Sequence, residues 1–418
     1  MATTAGATLI TPDRGFVETI LASGGGDLKR CFQCATCSVV CELASGRQPF
    51  PRKEMHWAQW GLKGRLVADP DIWLCHQCND CSTRCPRGAR PGDVLAAVRQ
   101  QAVRHYAAPR FLATWANGAA TLPLVLLLPV VLLLGAVLAR DPLARLLPFG
   151  EERGFYAEFF PHWLLIGFYG LFTGLACVAA IVGAARFWRA MRAADEAGGG
   201  YAPTVGVVPS LVRTLGAIVT HRRFAQCQAQ APRRLAHLMA FYGFLALYVV
   251  TIWAVIDLYV NPLLGIDSRY PFGLLHPMKV LANVGGVLLI VGSTKAILDR
   301  MRVTPGVAAS TAFDWIFVWL LLSVGVTGFA TEVFRFTVAP ESSLVPLAYG
   351  VYLVHLVTVF QLLVYLPYSK FAHLLYRTVA MVYAEHTARH QSVLPVPVGR
   401  PAALPDAPAP VAVGAGGG

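Results

Sequence analysis

The chain has 418 residues, 56% of them hydrophobic and 14% charged, with a mean hydropathy of +0.53. Soluble domains are about 45–50% apolar, so the composition excludes an ordinary soluble protein over the whole length. The formal net charge of +12 would suit nucleic acid, but its basic residues concentrate between apolar runs, where they set membrane orientation, and nucleic acid is set aside.

Residues 1–20 hold no apolar core after a basic start and no twin arginine, so no secretory signal is expected and the domain that follows should stay in the cytoplasm. Two matched cysteine sets come next: Cys31, Cys34, Cys37 and Cys41, then Cys75, Cys78, Cys81 and Cys85 followed by Pro86. Both read C-x2-C-x2-C-x3-C, the bacterial iron–sulfur run in which the fourth cysteine ligates the other cluster. Three closely spaced thiolates wrap one cubane, and the fourth arrives from a distant segment. The expected ligand sets are therefore Cys31, Cys34, Cys37 and Cys85 for one [4Fe–4S] cluster, and Cys75, Cys78, Cys81 and Cys41 for the other. Zinc would need only four ligands in paired knuckles, and disulfides are disfavoured in the cytoplasm. The intervening segment looks helical around Glu54–Trp60, which predicts an all-helical double ferredoxin domain over 1–110. For His56, His76 and His105 within it, surface or packing roles are expected, with potential tuning by His76 as the rarer alternative.

Beyond it, over 111–385, six predominantly apolar stretches are long enough to span a bilayer: 111–139, 159–185, 235–256, 274–298 (which contains Lys279), 315–336 and 342–369. Eight arginines in 186–234, against few basic residues on the opposite side, place both termini inside. The loop over 190–233 holds an amphipathic segment from Val208, expected to lie at the inner interface. His221 and Cys227 within it suggest no role. Residues 391–418 are rich in Pro, Ala and Gly and predict a disordered tail. The fold class is thus all-α: a helical double-cluster domain followed by a six-helix membrane bundle.

His162, His237, His276, His355 and His373 fall in or beside the spans. Polar groups there are costly and read as functional; with clusters already present they point to bis-histidine haem. On one continuous helix, His355 and His373, eighteen residues apart, would share a face about 27 Å apart along the axis, one ligand for each of two stacked haems. Span three starts inside and span six ends there, so His237 and His373 pair as the inner haem b. His355 belongs to an outer haem b, with His276 as partner and His162 as competitor; a single haem is the alternative.

The cysteine runs followed by spans resemble the C subunit of heterodisulfide reductase fused to a membrane cytochrome, as in the C subunit of the quinone-interacting membrane-bound oxidoreductase family. The C-terminal half resembles the nitrate-reductase gamma-type cytochrome b. That family places a second histidine ten residues beyond the earlier one, where this chain has Leu247. Its corresponding helix carries a lysine at the quinol pocket, which implies Lys279 as a quinone-headgroup residue, with Asn283 one turn on. No adjacent Cys-Cys pair exists, so a disulfide-reducing site is not expected. The resemblance implies a multi-pass inner-membrane subunit exchanging electrons between quinone and cytoplasmic flavin and iron–sulfur partners, with adenylylsulfate reductase beyond them. The alternatives are a membrane anchor of a heterodisulfide-reductase-type complex and, remotely, a zinc-binding scaffold without redox chemistry.

Overall fold

The computed structural model describes residues 11–45, 48–118, 120–139, 155–198, 201–221, 231–267, 270–302 and 310–389. Cys227 and the expected tail lie outside them. The described residues are mostly helical and contain no strand.

The N-terminal part packs seven helices: α1 (Arg14–Ala22), α2 (Thr36–Val39), α3 (Arg52–Gln59), α4 (Lys63–Val67), α5 (Asp71–Leu74), α6 (Asp80–Thr83) and α7 (Pro91–Tyr106). Local chemistry fixes their starts. Asp13 caps α1 by accepting from Phe16 N at 2.8 Å, and α7 opens on Pro91, whose missing N–H costs nothing at that position. Then follow α8 (Arg110–Ala116), α9 (Leu122–Leu138), α10 (His162–Ala197), α11 (Val207–Thr220), α12 (Ala231–Val255), α13 (Pro277–Met301), α14 (Ala312–Thr337), α15 (Val345–Val364) and α16 (His373–His386).

Among the described residues, five helices are long and apolar enough to cross a membrane: His162–Ala197, Arg233–Val260, Pro277–Met301, Ala312–Thr337 and Val345–Val364. The stretch expected to form a first span is divided. Thr121 Oγ1 donates to Trp115 O at 2.7 Å and to Gly118 O at 3.0 Å, so a side chain competes for the backbone between α8 and α9, while Asn117 ties the break to Tyr368 O at 2.8 Å. This leaves α9 with 17 residues, the lower limit for a span.

The last expected span is also interrupted. α15 stops at Val364, and a turn through Pro367 and a short 3-10 segment, Lys370–Ala372, precede α16. Proline lacks the N–H a helix needs and clashes with the carbonyl four residues back; Ser369 caps the next turn by accepting from Phe371 N. His355 and His373 therefore stand on different helices. The continuous five-turn rail expected from their spacing is not present.

Packing joins the two parts. With 36 residues α10 is about 54 Å long, more than a bilayer core needs. Its end reaches the N-terminal part, where Phe187 and Met191 share a core with Trp73, Tyr106 and Tyr376. Trp73 stacks on Tyr376 at 5.2 Å. Arg389 closes the same junction, bonding buried Asp69 and Asp71 and also Asp195 at 3.2 Å each. Residue 110 is thus no break in packing. In the bundle, α12 and α13 touch along glycines: a Cβ on Gly243 would lie 2.6 Å from Gly285 O. Small residues allow such an approach.

Candidate redox centres

The two cysteine runs adopt one loop design. Gln33 and Ala35 in the first, and Gln77 and Asn79 in the second, have φ of 60°, 68°, 52° and 63°. These are matching positions relative to the leading cysteine. Non-glycine residues held in that region are uncommon and cluster at functional sites. Each loop then enters a one-turn helix, α2 or α6, carrying its third cysteine.

The runs interleave. Burial pushes the Cys37 thiol up to about 11, and Cys31, Cys34 and Cys85 are the thiols that add to the rise. Burial likewise pushes Cys41 up to about 12, with Cys75 and Cys78 adding; Cys81 is raised by burial, then by Cys75, Cys41 and Cys78. So Cys85 stands with the first run and Cys41 with the second. Among the described residues, the three-ligand group drawn within 4.8 Å is Glu54, Asp69 and Asp71, not any cysteine trio. The thiols are spaced wider than one zinc ion holds them, which suits a multi-iron core. Backbone and side-chain N–H groups already point at sulfur: Gln77 N to Cys75 at 3.3 Å, Ala89 N to Cys85 at 3.4 Å, and Gln33 Nε2 to Cys31 at 3.5 Å. Such bonds tune cluster potential.

A cavity of about 440 Å³ lies between the second run and the bundle. His237 and His373 both line it, as do Cys75 and Cys78. His221, for which the sequence suggested no role, lies on its wall too, its ring 5.4 Å from that of His237. It arrives there because α11 ends at His221 in a left-handed turn. His373 Nδ1 donates to Lys370 O at 2.8 Å, which leaves Nε2 bare. Burial, with His237, Lys370 and Arg377 nearby, holds its imidazole down at about 3, the neutral form that binds iron. Phe244, Phe317, Phe371 and Leu321 give apolar walls. The lining also carries six Arg or Lys side chains against three Asp. An apolar macrocycle with two carboxylates, as in haem b, fits that combination.

The other histidines divide. His355 lies 3.0 Å from Thr327 Oγ1, whose own proton goes to Ser323 O at 2.6 Å, so His355 Nδ1 donates and Nε2 is bare. Its ring rests on Gly328, where a Cβ would stand 3.2 Å from Cε1. His276 instead caps α13, its Nδ1 accepting from Met278 N at 3.3 Å, and its ring stacks on Phe272 at 4.4 Å. The ring proton then sits on Nε2, the opposite of what an iron ligand needs. His162 opens α10 with its ring 5.5 Å from Tyr270.

Lys279 and Asn283 share a partner that sequence reasoning missed. Glu332 on α14 pairs with Lys279 at 2.9 Å and accepts from Asn283 at 3.2 Å, with both charged groups mostly buried. A carboxylate inside an expected span was the signal available. Glu332→Leu should destabilise the bundle by about 2–3 kcal/mol, below the 3–5 kcal/mol scale for a wholly buried pair. Unfolding in detergent followed by circular dichroism measures this, and Lys279→Leu on the same chain should recover most of the loss. A single variant as stable as the parent would mean that the pair carries no weight.

Residues 27–89 match the family profile described as a 4Fe-4S dicluster domain. The chain carries that domain. The same part is similar to the C subunit of the H(2):CoB-CoM heterodisulfide,ferredoxin reductase of Methanothermobacter marburgensis, 40% identical over 94 residues, 22% of this chain and 50% of that protein. A protein of Archaeoglobus profundus, described as like the C subunit of heterodisulfide reductase, is 33% identical over 96 residues, 23% of this chain and 51% of that protein. The chain thus spans about half the length of these relatives. Citrate utilization protein B of Escherichia coli is 29% identical over 319 residues, 74% of this chain and 80% of that protein. No solved structure matches. The chain therefore joins an iron–sulfur electron-transfer domain, related to the C subunit of heterodisulfide reductase, to a membrane-type helical bundle.

Proposed function

We propose that this chain is the membrane subunit of an oxidoreductase, exchanging electrons between the quinone pool and a cytoplasmic partner. The observation that carries the reading is the cavity shared by His237, His373 and the second cysteine run. In this reading, Cys31, Cys34, Cys37 and Cys85 hold one [4Fe–4S] cluster and Cys41, Cys75, Cys78 and Cys81 the other, while His237 and His373 ligate a haem b. These groups supply one-electron carriers of tunable potential. The protein's own residues position them: Lys370 O fixes the His373 tautomer, and left-handed residues at matching positions give the two cysteine loops the same backbone turn. His355 is the ligand proposed for a second haem, and α9 the sixth span. Lys279, Asn283 and Glu332 form the proposed quinone-headgroup site, where a cation, an amide and a carboxylate can hold a carbonyl and take up a proton.

The first run is the side offered to a partner. Cys34 is exposed, Phe32 and Val39 are 66% and 84% exposed, and the Arg87 guanidinium lies 4.2 Å from the Phe32 ring. Two partner readings follow. The order of cluster domain and spans resembles the quinone-interacting membrane-bound oxidoreductase, which implies flavin and iron–sulfur subunits serving adenylylsulfate reductase. The likeness to citrate utilization protein B runs over 319 residues, well beyond the cluster domain, and favours a role in citrate utilization. Subunits co-purified from the native membrane separate the two.

The central test is optical. Purified protein reduced with dithionite should show haem b absorption, quantified as pyridine haemochrome, and a quinol analogue should reduce it. Colourless protein holding zinc and no acid-labile sulfide would end the proposal.

A further inference from the structure

Only the second cysteine run reaches the histidine cavity. Cys75, His76, Gln77 and Cys78 line it, and among the described residues no cysteine of the first run does. One residue joins that loop to the histidine helix. Arg377 lies on α16, one turn beyond His373 and on the same face. Its Nη1 donates to Trp73 O at 3.0 Å and Cys75 O at 2.8 Å, and its Nη2 donates to His76 Nδ1 at 3.0 Å. A single turn of α16 thus offers an imidazole to the cavity and a guanidinium to the cysteine loop. Only arginine has the planar fork of donors to bind two carbonyls and an imidazole while staying charged.

We propose that Arg377 is a positioning residue that sets the reduction potential of the second-run cluster alone and makes that cluster the one facing the histidine cavity. A one-electron reduction adds a negative charge within the loop that Arg377 holds. A fixed cation nearby in a poorly screened setting favours the reduced form. These three bonds all go to the second run or to Trp73, two residues before it, so the charge acts on that cluster first. The inference uses the electron-transfer reading for its purpose, but its measurement needs only the clusters.

The experiment is a redox titration of the full-length protein in detergent, followed by electron paramagnetic resonance, with iron and acid-labile sulfide measured on each sample. Cys34→Ser, at the exposed first-run ligand, assigns the signals, because the first-run signal is the one it removes and the other is at most broadened. Arg377→Met keeps the apolar stem and removes the charge. The second-run cluster should become about tenfold harder to reduce, 59 mV for a one-electron couple, with the first-run potential unmoved. Arg377→Lys keeps a cation but not the fork, and should shift the same potential in the same direction by about threefold. If Arg377→Met fails to load both clusters, Arg377→Lys decides. Equal movement of both potentials, movement of the first-run potential alone, or no movement overturns the proposal. Absence of haem by pyridine haemochrome would remove the haem reading and leave this result intact.

Discussion

Replacing His373 by alanine should empty the inner cavity of haem while both clusters stay. His373 brings a neutral ring, its Nδ1 held by Lys370 O and its Nε2 bare, to the wall that also carries His237. A bis-histidine iron that loses one axial ligand loses both a bond and the clamp between two helices, α12 and α16. The expected loss of bound haem is at least about tenfold; even second-sphere changes at metal sites cost 10–100-fold. His237→Ala should do the same. His221→Ala is the comparison, since His221 shares the wall and its Nδ1 likewise lies toward a backbone carbonyl, Val219 O at 3.4 Å, a longer contact than that of His373. The readouts are pyridine haemochrome for haem, and iron and acid-labile sulfide for the clusters. Full haem content in His373→Ala would refute the assignment, and haem lost only in His221→Ala would transfer the ligand role to that residue. If His355→Ala removes a separate spectral component, a second haem exists; if it removes none, His355 is a packing residue bonded to Thr327.

Much of the cluster domain was legible because spacing is covalent. Two cubane-binding runs need three cysteines within seven residues, and in the structure Cys85 is among the thiols acting on Cys37, and Cys41 among those acting on Cys81. The backbone that makes the loops work was not legible: Gln33, Ala35, Gln77 and Asn79 hold left-handed φ without being glycine. The surrounding packing, rather than local preference, imposes that conformation. Apolar length located five helices long enough to cross a membrane, four of them to within about five residues at each end; the fifth, His162–Ala197, runs twelve residues past the expected end at 185. It failed at 111–139 and after 364 because hydropathy ignores capping side chains and undervalues Pro367. That same error made His355 and His373 look like rungs on one helix. Their separation removes the helical-face argument; the proposed inner pairing rests instead on depth and on the cavity that His237 and His373 both line. Glu332, His221 and Arg377 are tertiary facts. Each gains meaning only from a partner far away in sequence, as Arg377 does from Cys75 across 302 residues.

Exchanging Cys85 for serine should silence the cluster of the first run, not of the second in which it sits. Cys85 contributes to the environment of Cys31 and Cys37, whereas Cys41 does so for Cys81. Proline follows Cys85, and Ala89 N points at its sulfur at 3.4 Å, so the stretch of chain leaving the second loop is fixed toward the first. In reduced protein, Cys85→Ser and Cys34→Ser should remove or alter one electron paramagnetic resonance signal. Cys41→Ser and Cys78→Ser should affect the other. Each variant should lose about half of the acid-labile sulfide, since a [4Fe–4S] cube missing a thiolate is held by three ligands and exposed to solvent. If Cys85→Ser instead acts on the signal altered by Cys78→Ser, each run would bind its own cluster, and the crossed arrangement would be wrong. The crossing also has a mechanical consequence. Because each cluster would be tied to both loops, losing either one should loosen the other loop too. The surviving signal in Cys41→Ser should therefore broaden, while the haem proposed between His237 and His373 should keep its spectrum.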